Sequence, residues 1–346
     1  MGLKDLGHQV KLVTFSMPPS WVREHYDESD NWVVFNKNSA RFDLILLWNM
    51  LKLVIEYKPD VIDAHCESSS LYAALVGKLT NTKCVATVHR SKLHYYQSNW
   101  KRRLYNRFLD GFIAVSNERK KRMCNQLGLP EDKIRVVHWG IDPGLIPGEP
   151  DRKAARSRLN LADGKIILSL GHLGEIKGHE DSIRAVATLY KVQPDVRLYI
   201  GGDGAKSDYD RLNDLIEELD VKGVVKLLGQ VTNVIDWLQA CDVFLQPSRE
   251  EAFGLVFVEA GLCKRPTIAT NVGGIPEIIH NGVTGYLVDI NSPTQIGEKL
   301  LELLRSPEKS MNMGKEAYDR VINNFVLSKQ IETLAAYFEW ISKRPG

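Results

Sequence analysis

Short runs of β-branched and apolar residues recur along the whole chain, each followed by a stretch with helical spacing, and this alternation is what most narrows the possible folds. In the first half the runs fall at 10–15, 61–65, 84–89, 111–116 and 134–139. In the second half they fall at 165–171, 196–202, 224–229, 243–248, 267–272 and 285–290. Strands joined by crossover helices pair in parallel, so the pattern specifies an α/β chain. Between the halves lies GIDPGLIPGEPDRK (140–153), rich in Gly and Pro and poor in periodic apolar residues. Such a segment is a linker, and 346 residues are too many for one comfortable core. Two doubly wound domains are therefore expected, 1–150 and 151–327, with a last helix over 328–341 that leads back to the first domain within 328–346. Open parallel sheets bind ligands at the carboxyl ends of their strands, so function is to be sought in the loops that follow them.

Composition excludes several classes. With 44% hydrophobic and 25% charged residues, neither a disordered nor a membrane-spanning chain fits. The longest apolar stretch, 44–55, is interrupted by Asn49 and Lys52 and falls short of the ~20 residues a span requires; it reads as a buried amphipathic helix. The start has no signal-peptide core, which points to the cytoplasm. Five cysteines lie scattered without metal or disulfide spacing and read as reduced core thiols. Residues 1–150 hold 21 Lys/Arg against 16 Asp/Glu, and between His89 and Arg122 ten basic residues meet only Asp110 and Glu118. That stretch interleaves Lys92, Lys101, Arg102, Arg103 and Arg107 with Tyr95, Tyr96, Trp100, Tyr105 and Phe108. Two readings fit it: peripheral docking on an anionic membrane face or acceptor, and a solvated helix with core aromatics.

The segment PSREEAFGLVFVEAG (247–261) carries the most chemistry. A helix that begins near Gly254 or Leu255 leaves Glu251 on the entering loop and sets Glu259 one to two turns in. The exposed N–H groups at the helix start suit a pyrophosphate, and the carboxylates, being acceptors only, suit sugar and ribose hydroxyls. Two glutamates in isolation would more simply be a first-turn residue and a solvated face. Lys177, in GHLGEIKG (171–178), would in isolation be an ordinary surface lysine. His65 and His89 each close an expected strand and so point to the ligand end of the first sheet, where a rim histidine with a structural hydrogen bond is the plainer alternative.

Taken together, PSREEAFGLVFVEAGLCKRPTIATNVGGIPEIIHNGVTGYLV, GHLGEIKG, IGGDG, LGQV, AVSNERKKRM and RVVHWGID resemble the family-4 glycosyltransferases, the large retaining group with the GT-B fold. The resemblance covers nearly the whole chain except its start. It implies two Rossmann-like domains facing a cleft and transfer of a hexose from a nucleoside diphosphate sugar to a hydroxyl, with retention, in polysaccharide or glycolipid synthesis. It implies that Glu259 binds the ribose, that Glu251 contacts the transferred hexose, and that Lys177 neutralises the diphosphate. The donor pocket it implies comprises Gly171, His172, Lys177, Glu251, Ala252, Phe253, Gly254, Leu255 and Glu259, with His65 and His89 on the side of a carbohydrate or lipid-linked acceptor. His89 is the first-domain member of the implied catalytic set. No metal, other cofactor or nucleic acid is implied.

Two departures accompany the resemblance. His172 stands where the family usually has an arginine beside the diphosphate, and a histidine with an ordinary pKa near 6.5 is mostly neutral at pH 7. LKDLGHQVKLVTF begins almost at residue 1, whereas family members begin with a buried strand and a Gly-rich turn, so an abbreviated start is expected. Both departures keep open a catalytically impaired nucleotide-sugar binder, and the shared frame keeps open an epimerase or phosphorylase. A dinucleotide enzyme and a P-loop kinase are not supported, because IGGDGAK lacks the third glycine of one motif and GEIKGHE the GK[ST] of the other.

Overall fold

The computed structural model describes residues 2–17, 32–37, 42–89, 93, 98–146 and 148–344. They divide into two compact units. The first comprises Met1–Ala114, Lys120–Val137 and Ile331–Gly346, and the second Val115–Arg119 and His138–Gln330. Lys92, Tyr95 and Tyr96 lie outside the described residues.

In the first unit β1 (Leu12–Thr14) pairs in parallel with β2 (Trp32–Val34). A separate parallel sheet has the order β3-β4-β5-β6, formed by Val61–His65, Lys83–Val88, Gly111–Ala114 and Ile134–Val136. Its helices are α1 (Gly2–Asp5), α2 (Leu44–Tyr57), α3 (Glu67–Thr80), α4 (Asn99–Phe108) and α5 (Asn117–Leu127), the first turn of α5 through Arg119 belonging to the second unit. Period-2 alternation divides the strand residues between two layers. Ala64, Ala86 and Ala114 pack with Tyr105, Met123 and Leu127 of the crossover helices. Val85, Ile113 and Val137 pack instead with Tyr337 and Ile341 near the end of the chain.

The second unit has one six-stranded parallel sheet of order β12-β11-β10-β7-β8-β9. In chain order its strands are β7 (Lys165–Leu170), β8 (Val196–Gly201), β9 (Val225–Gly229), β10 (Val243–Gln246), β11 (Thr267–Thr270) and β12 (Gly285–Val288). The helices are α6 (Arg152–Arg158), α7 (His179–Tyr190), α8 (Lys206–Glu218), α9 (Val234–Ala240), α10 (Leu255–Leu262), α11 (Ile275–Ile278), α12 (Pro293–Arg305), α13 (Pro307–Asn324) and α14 (Leu327–Ser342), the last continuing from Ile331 into the first unit. Adjacent residues on the central strands serve opposite layers. Ile167, Val243 and Leu245 face one core, while Ile166, Leu168 and Phe244 face the other. Strands buried on both faces read as continuous apolar runs, which is why they are legible in the sequence.

Two expectations need correction. Several strands stop one to three residues before the expected limits, because their last apolar residues leave the ladder to build the loops above the sheet. The stretch 44–55 does form a helix, capped by Asp43 Oδ1, which accepts from the Ile45 and Leu46 amides. Yet only Leu46, Met50 and Val54 are buried, while Leu44, Ile45, Trp48 and Ile55 are 56–73% exposed. The helix buries one stripe, and the opposite face is apolar as well. β2 was not expected at all, since WVV is too short for periodicity to register.

Candidate active site

The order of the second sheet fixes where its ligand crevice lies. From β7 the chain moves outward through β8 and β9, then returns to β10 on the other side of β7 and moves outward through β12. This reversal between β7 and β10 is the topological switch point, where the loops leave in opposite directions and open a crevice. The loop after β7 is 171–178 and the loop after β10 is 247–254, so the sheet itself brings Lys177 and Glu251 together. Lys177 Nζ lies 2.6 Å from Glu251 Oε2, and both side chains are mostly shielded, with 22% and 13% exposure. The Lys177 stem runs against Gly171, where a Cβ would come within 3.3–3.4 Å of its carbons. Gly171 therefore leaves room for the lysine.

α10 starts at Leu255 after Gly254, whose φ of +97° lies in the region that favours glycine. A Cβ there would strike the Phe257 ring at 2.4 Å. Glu259 is the fifth residue of the helix, so it returns to the face above the entering loop. Burial pushes its carboxyl above the usual carboxylate range. None of the described residues hydrogen-bonds to that side chain, and it is available to a hydroxyl donor. Ala252 and Phe253 are buried at 5% and 3% and form the wall beneath, with the Ala252 carbonyl accepting from Ser116 Oγ at 2.8 Å. His172 is exposed, and its Nδ1 accepts from the Gly174 amide at 3.0 Å. That bond leaves the proton of the neutral ring on Nε2.

In the first unit His65 is the last residue of β3 and His89 follows directly on β4. His65 Nδ1 and His89 Nε2 are 2.6 Å apart. The ring centroids are 4.9 Å apart with planes within 10°, a separation that the N···N contact and the ring radii account for, so the rings meet end to end. The other His65 nitrogen, Nε2, is 3.2 Å from Asp63 Oδ2, and Thr87 Oγ1 donates to Asp63 Oδ1 at 2.7 Å. Burial opposes charge on His65, but the Asp63 hydrogen bond and charge outweigh it and raise its pKa. Burial and then repulsion by His65 pull His89 down to about 4. Of the two rings, His65 is therefore the one that takes up a proton more readily.

Sequence reasoning missed Asp63, although it shares a strand face with His65 at a spacing of two. Glu277, which the sequence sets with Gly273 and Gly274 in the VGGIPE turn and gives a backbone rather than a catalytic role, has a carboxylate that accepts from the Asn117 and Glu118 amides, Asn117 Nδ2 and His138 Nε2 at 2.8–3.0 Å. No local signal links residues 117, 138 and 277.

Comparison with known proteins identifies the family and the fold. Residues 1–145 match the model of Glycosyltransferase Family 4, and residues 151–320 match that of Glycosyl transferases group 1. An N-acetyl-alpha-D-glucosaminyl L-malate synthase of Bacillus anthracis is 27% identical over 96% of this chain and 90% of its own. A D-inositol 3-phosphate glycosyltransferase of Corynebacterium aurimucosum is 32% identical over 61% of this chain; the match spans about half of that relative, 52%. Among solved structures, Anabaena HepE in complex with UDP and glucose superposes with a TM-score of 0.85 at 22% identity over 98% of this chain and 94% of its own. A glycosyltransferase from Rickettsia africae gives 0.84 at 24% identity, over 99% and 92%. The chain belongs to the family-4 glycosyltransferases, has their GT-B fold, and is a glycosyltransferase.

Proposed function

We propose that the protein transfers a hexose from a nucleoside diphosphate sugar to a hydroxyl acceptor with retention at the anomeric carbon, in polysaccharide or glycolipid synthesis. The observation that carries this reading is the grouping of Lys177, Glu251, Glu259 and the start of α10 at one switch point. In it Lys177 and the α10 amides meet the diphosphate, Glu259 accepts from the ribose hydroxyls, and Glu251 accepts from the hexose. In the free protein Glu251 holds Lys177; a bound diphosphate exchanges that partner for a phosphate and releases Glu251 to the sugar. Charge on the leaving group is met by side chain and backbone, so the reading assigns no metal or other cofactor. His65 and His89 lie on the acceptor side, and the leaving phosphate itself helps to take the acceptor proton. Complexes of HepE with UDP and with UDP-glucose support a nucleotide-sugar donor.

Incubation with a panel of nucleotide sugars tests this. Slow hydrolysis of one donor, with the released sugar first formed in the donor's anomeric configuration, is the expected result; inversion, epimerisation or phosphorolysis would overturn it. A second acceptor reading is favoured by one observation: the relative aligned over nearly the whole chain is named for L-malate, a small anionic hydroxy acid. Transfer to malate rather than to a glycan or lipid-linked sugar in an acceptor panel would decide for it.

The same reading assigns the protein to the cytoplasm, in peripheral contact with the inner membrane face through 89–122. Among the described residues no helix is long and apolar enough to cross a membrane. In α4 Trp100 is 56% exposed, and Arg103 and Arg107 are also exposed. Tyr105 is buried, and Lys101 is engaged with Glu67. The outer face thus supports docking, while the inner face serves the core.

A further inference from the structure

We propose that Gln246 is a positioning residue of the donor site, setting the place of Lys177 through the backbone of the loop that carries it. The inference rests on the reading above that Lys177 meets the diphosphate. Gln246 ends β10, a strand otherwise made of Val243, Phe244 and Leu245, and its side chain is fully buried. An apolar residue is the expected occupant of such a position, because a buried amide is costly unless every group finds a partner. Here each group does. Oε1 accepts from the Leu170 amide and from Ser169 Oγ, both at 3.1 Å, and Nε2 donates to the Lys177 carbonyl at 2.9 Å. A backbone N–H can only donate and a carbonyl only accept, so the amide has one orientation; turning it over breaks both contacts.

One planar group thereby ties the end of β7 to the end of the 3-10 turn Glu175–Lys177. The neighbouring carbonyls of the turn are held from the same side. The Ile176 carbonyl accepts from the Arg249 amide at 2.8 Å, and the Glu175 carbonyl accepts from Arg249 Nη1. All three carbonyls of the Lys177 turn are thus engaged by residues 246 and 249 of the β10 loop, which continues directly to Glu251. Gly178 closes the turn at φ +68°, where a Cβ would lie 2.1 Å from the Pro247 carbonyl oxygen. The front of the loop packs on His179, which is fully buried, with Nε2 3.3 Å from the His172 carbonyl and Nδ1 3.1 Å from Ser169 Oγ; the single N–H of the neutral ring serves one of these two contacts, since the Ser169 proton goes to Gln246 Oε1. With its backbone so held, Lys177 needs only its side-chain torsions to move between Glu251 and a phosphate, so its ammonium is delivered with little reorganisation.

The test is a double-mutant cycle read by calorimetry, with Lys177→Ala, Gln246→Met and the pair of changes together. The probe is whichever of UDP, GDP and ADP the wild-type protein binds most tightly, alongside the matching nucleoside. Lys177→Ala should weaken diphosphate binding about tenfold or more and leave nucleoside binding unchanged. Gln246→Met should reproduce most of that loss with the same selectivity for the diphosphate. In the Lys177→Ala background Gln246→Met should add almost nothing, since a positioning residue has no effect once its target is gone. A merely structural glutamine would weaken nucleoside and diphosphate alike, or add its effect in full to that of Lys177→Ala, and either result overturns the proposal. If Gln246→Met does not fold, Gln246→Glu carries the cycle, because it keeps an acceptor for Leu170 and loses the donor to Lys177. No effect of Lys177→Ala, or no binding by any of the three diphosphates, would sink the donor-site reading and this inference with it. An effect of Lys177→Ala without one of Gln246→Met sinks only the inference.

Discussion

A carboxylate and an ammonium held 2.6 Å apart in a shielded crevice are in a different position from a surface ion pair, since each is a ready contact for a ligand of opposite need. Glu259→Ala should weaken donor binding and Glu251→Ala should lower turnover more than affinity. Each hydrogen bond to a charged group is worth ~1.5–3 kcal/mol, so both effects should exceed about tenfold. Steady-state kinetics that match wild type for both variants would remove the donor-site assignment. Lys177→Ala should cost most of the activity. His172→Arg should retain or raise it near neutral pH, because the guanidinium supplies a permanent charge beside the diphosphate. The His172 Nδ1 bond to Gly174 is the one feature such a change discards, so a sharp fall in turnover would assign the imidazole a role of its own. At this scale the motif residues were legible, because Glu251, Gly254 and Glu259 lie within nine positions of one another. Gln246 and Asp63 were not, since each reads as a member of an ordinary strand.

Among the elements, the first turn of α5 depends on a residue far away in sequence. Glu277, in α11, accepts from the exposed amides of Asn117 and Glu118, as an N-cap side chain would. Burial works against its charge, but hydrogen bonds from His138, Asn117 and Glu118 outweigh this and hold the carboxyl at about 2. A carboxylate with a depressed folded-state pKa contributes stability that is present above its unfolded pKa of 4.5 and is lost as pH falls through about 2. The depression corresponds to at most about 3 kcal/mol. Glu277→Gln should therefore lower stability at pH 7 and flatten its decline between pH 4.5 and 2. A denaturation series whose pH slope is unchanged in the variant would refute this. For α4 the expected result is sedimentation with liposomes that contain anionic lipid, and weaker sedimentation for Arg103→Glu/Arg107→Glu. Equal recovery on neutral and anionic vesicles would leave α4 as a solvated helix over the Tyr105 core.

At the scale of the whole molecule, the first unit is assembled from pieces that lie at both ends of the chain. Tyr337 and Ile341 of α14 fill the face of its sheet lined by Val85, Ile113 and Val137, and Tyr337 OH donates to the Phe112 and Lys133 carbonyls at 3.4 Å. Ile341 is fully buried, and a cavity at such a site costs ~2–5 kcal/mol. Ile341→Ala should speed hydrogen exchange of the β4 and β5 amides while β7 and β10 keep their protection. Equal acceleration in both sheets would contradict the division into two units.

Eleven of the twelve described strands, the parallel α/β class and the local setting of Glu251 and Glu259 could be derived from the sequence, because a strand buried on both faces writes itself as a continuous apolar run and a helix start writes itself as glycine followed by periodic residues. Those signals are local, and they carried the position of Glu251 on a loop and Glu259 on a helix. What only the tertiary structure decided are the relations between distant residues. These are the Lys177–Glu251 pair across the switch point, the Asp63–His65–His89 chain across two strands, the Glu277 cap and the particular contacts of Tyr337 and Ile341 by which the expected last helix meets the first sheet. Each depends on strand order and on which residues the folded chain leaves in need of a hydrogen-bond partner, and neither is encoded at any fixed spacing along the sequence.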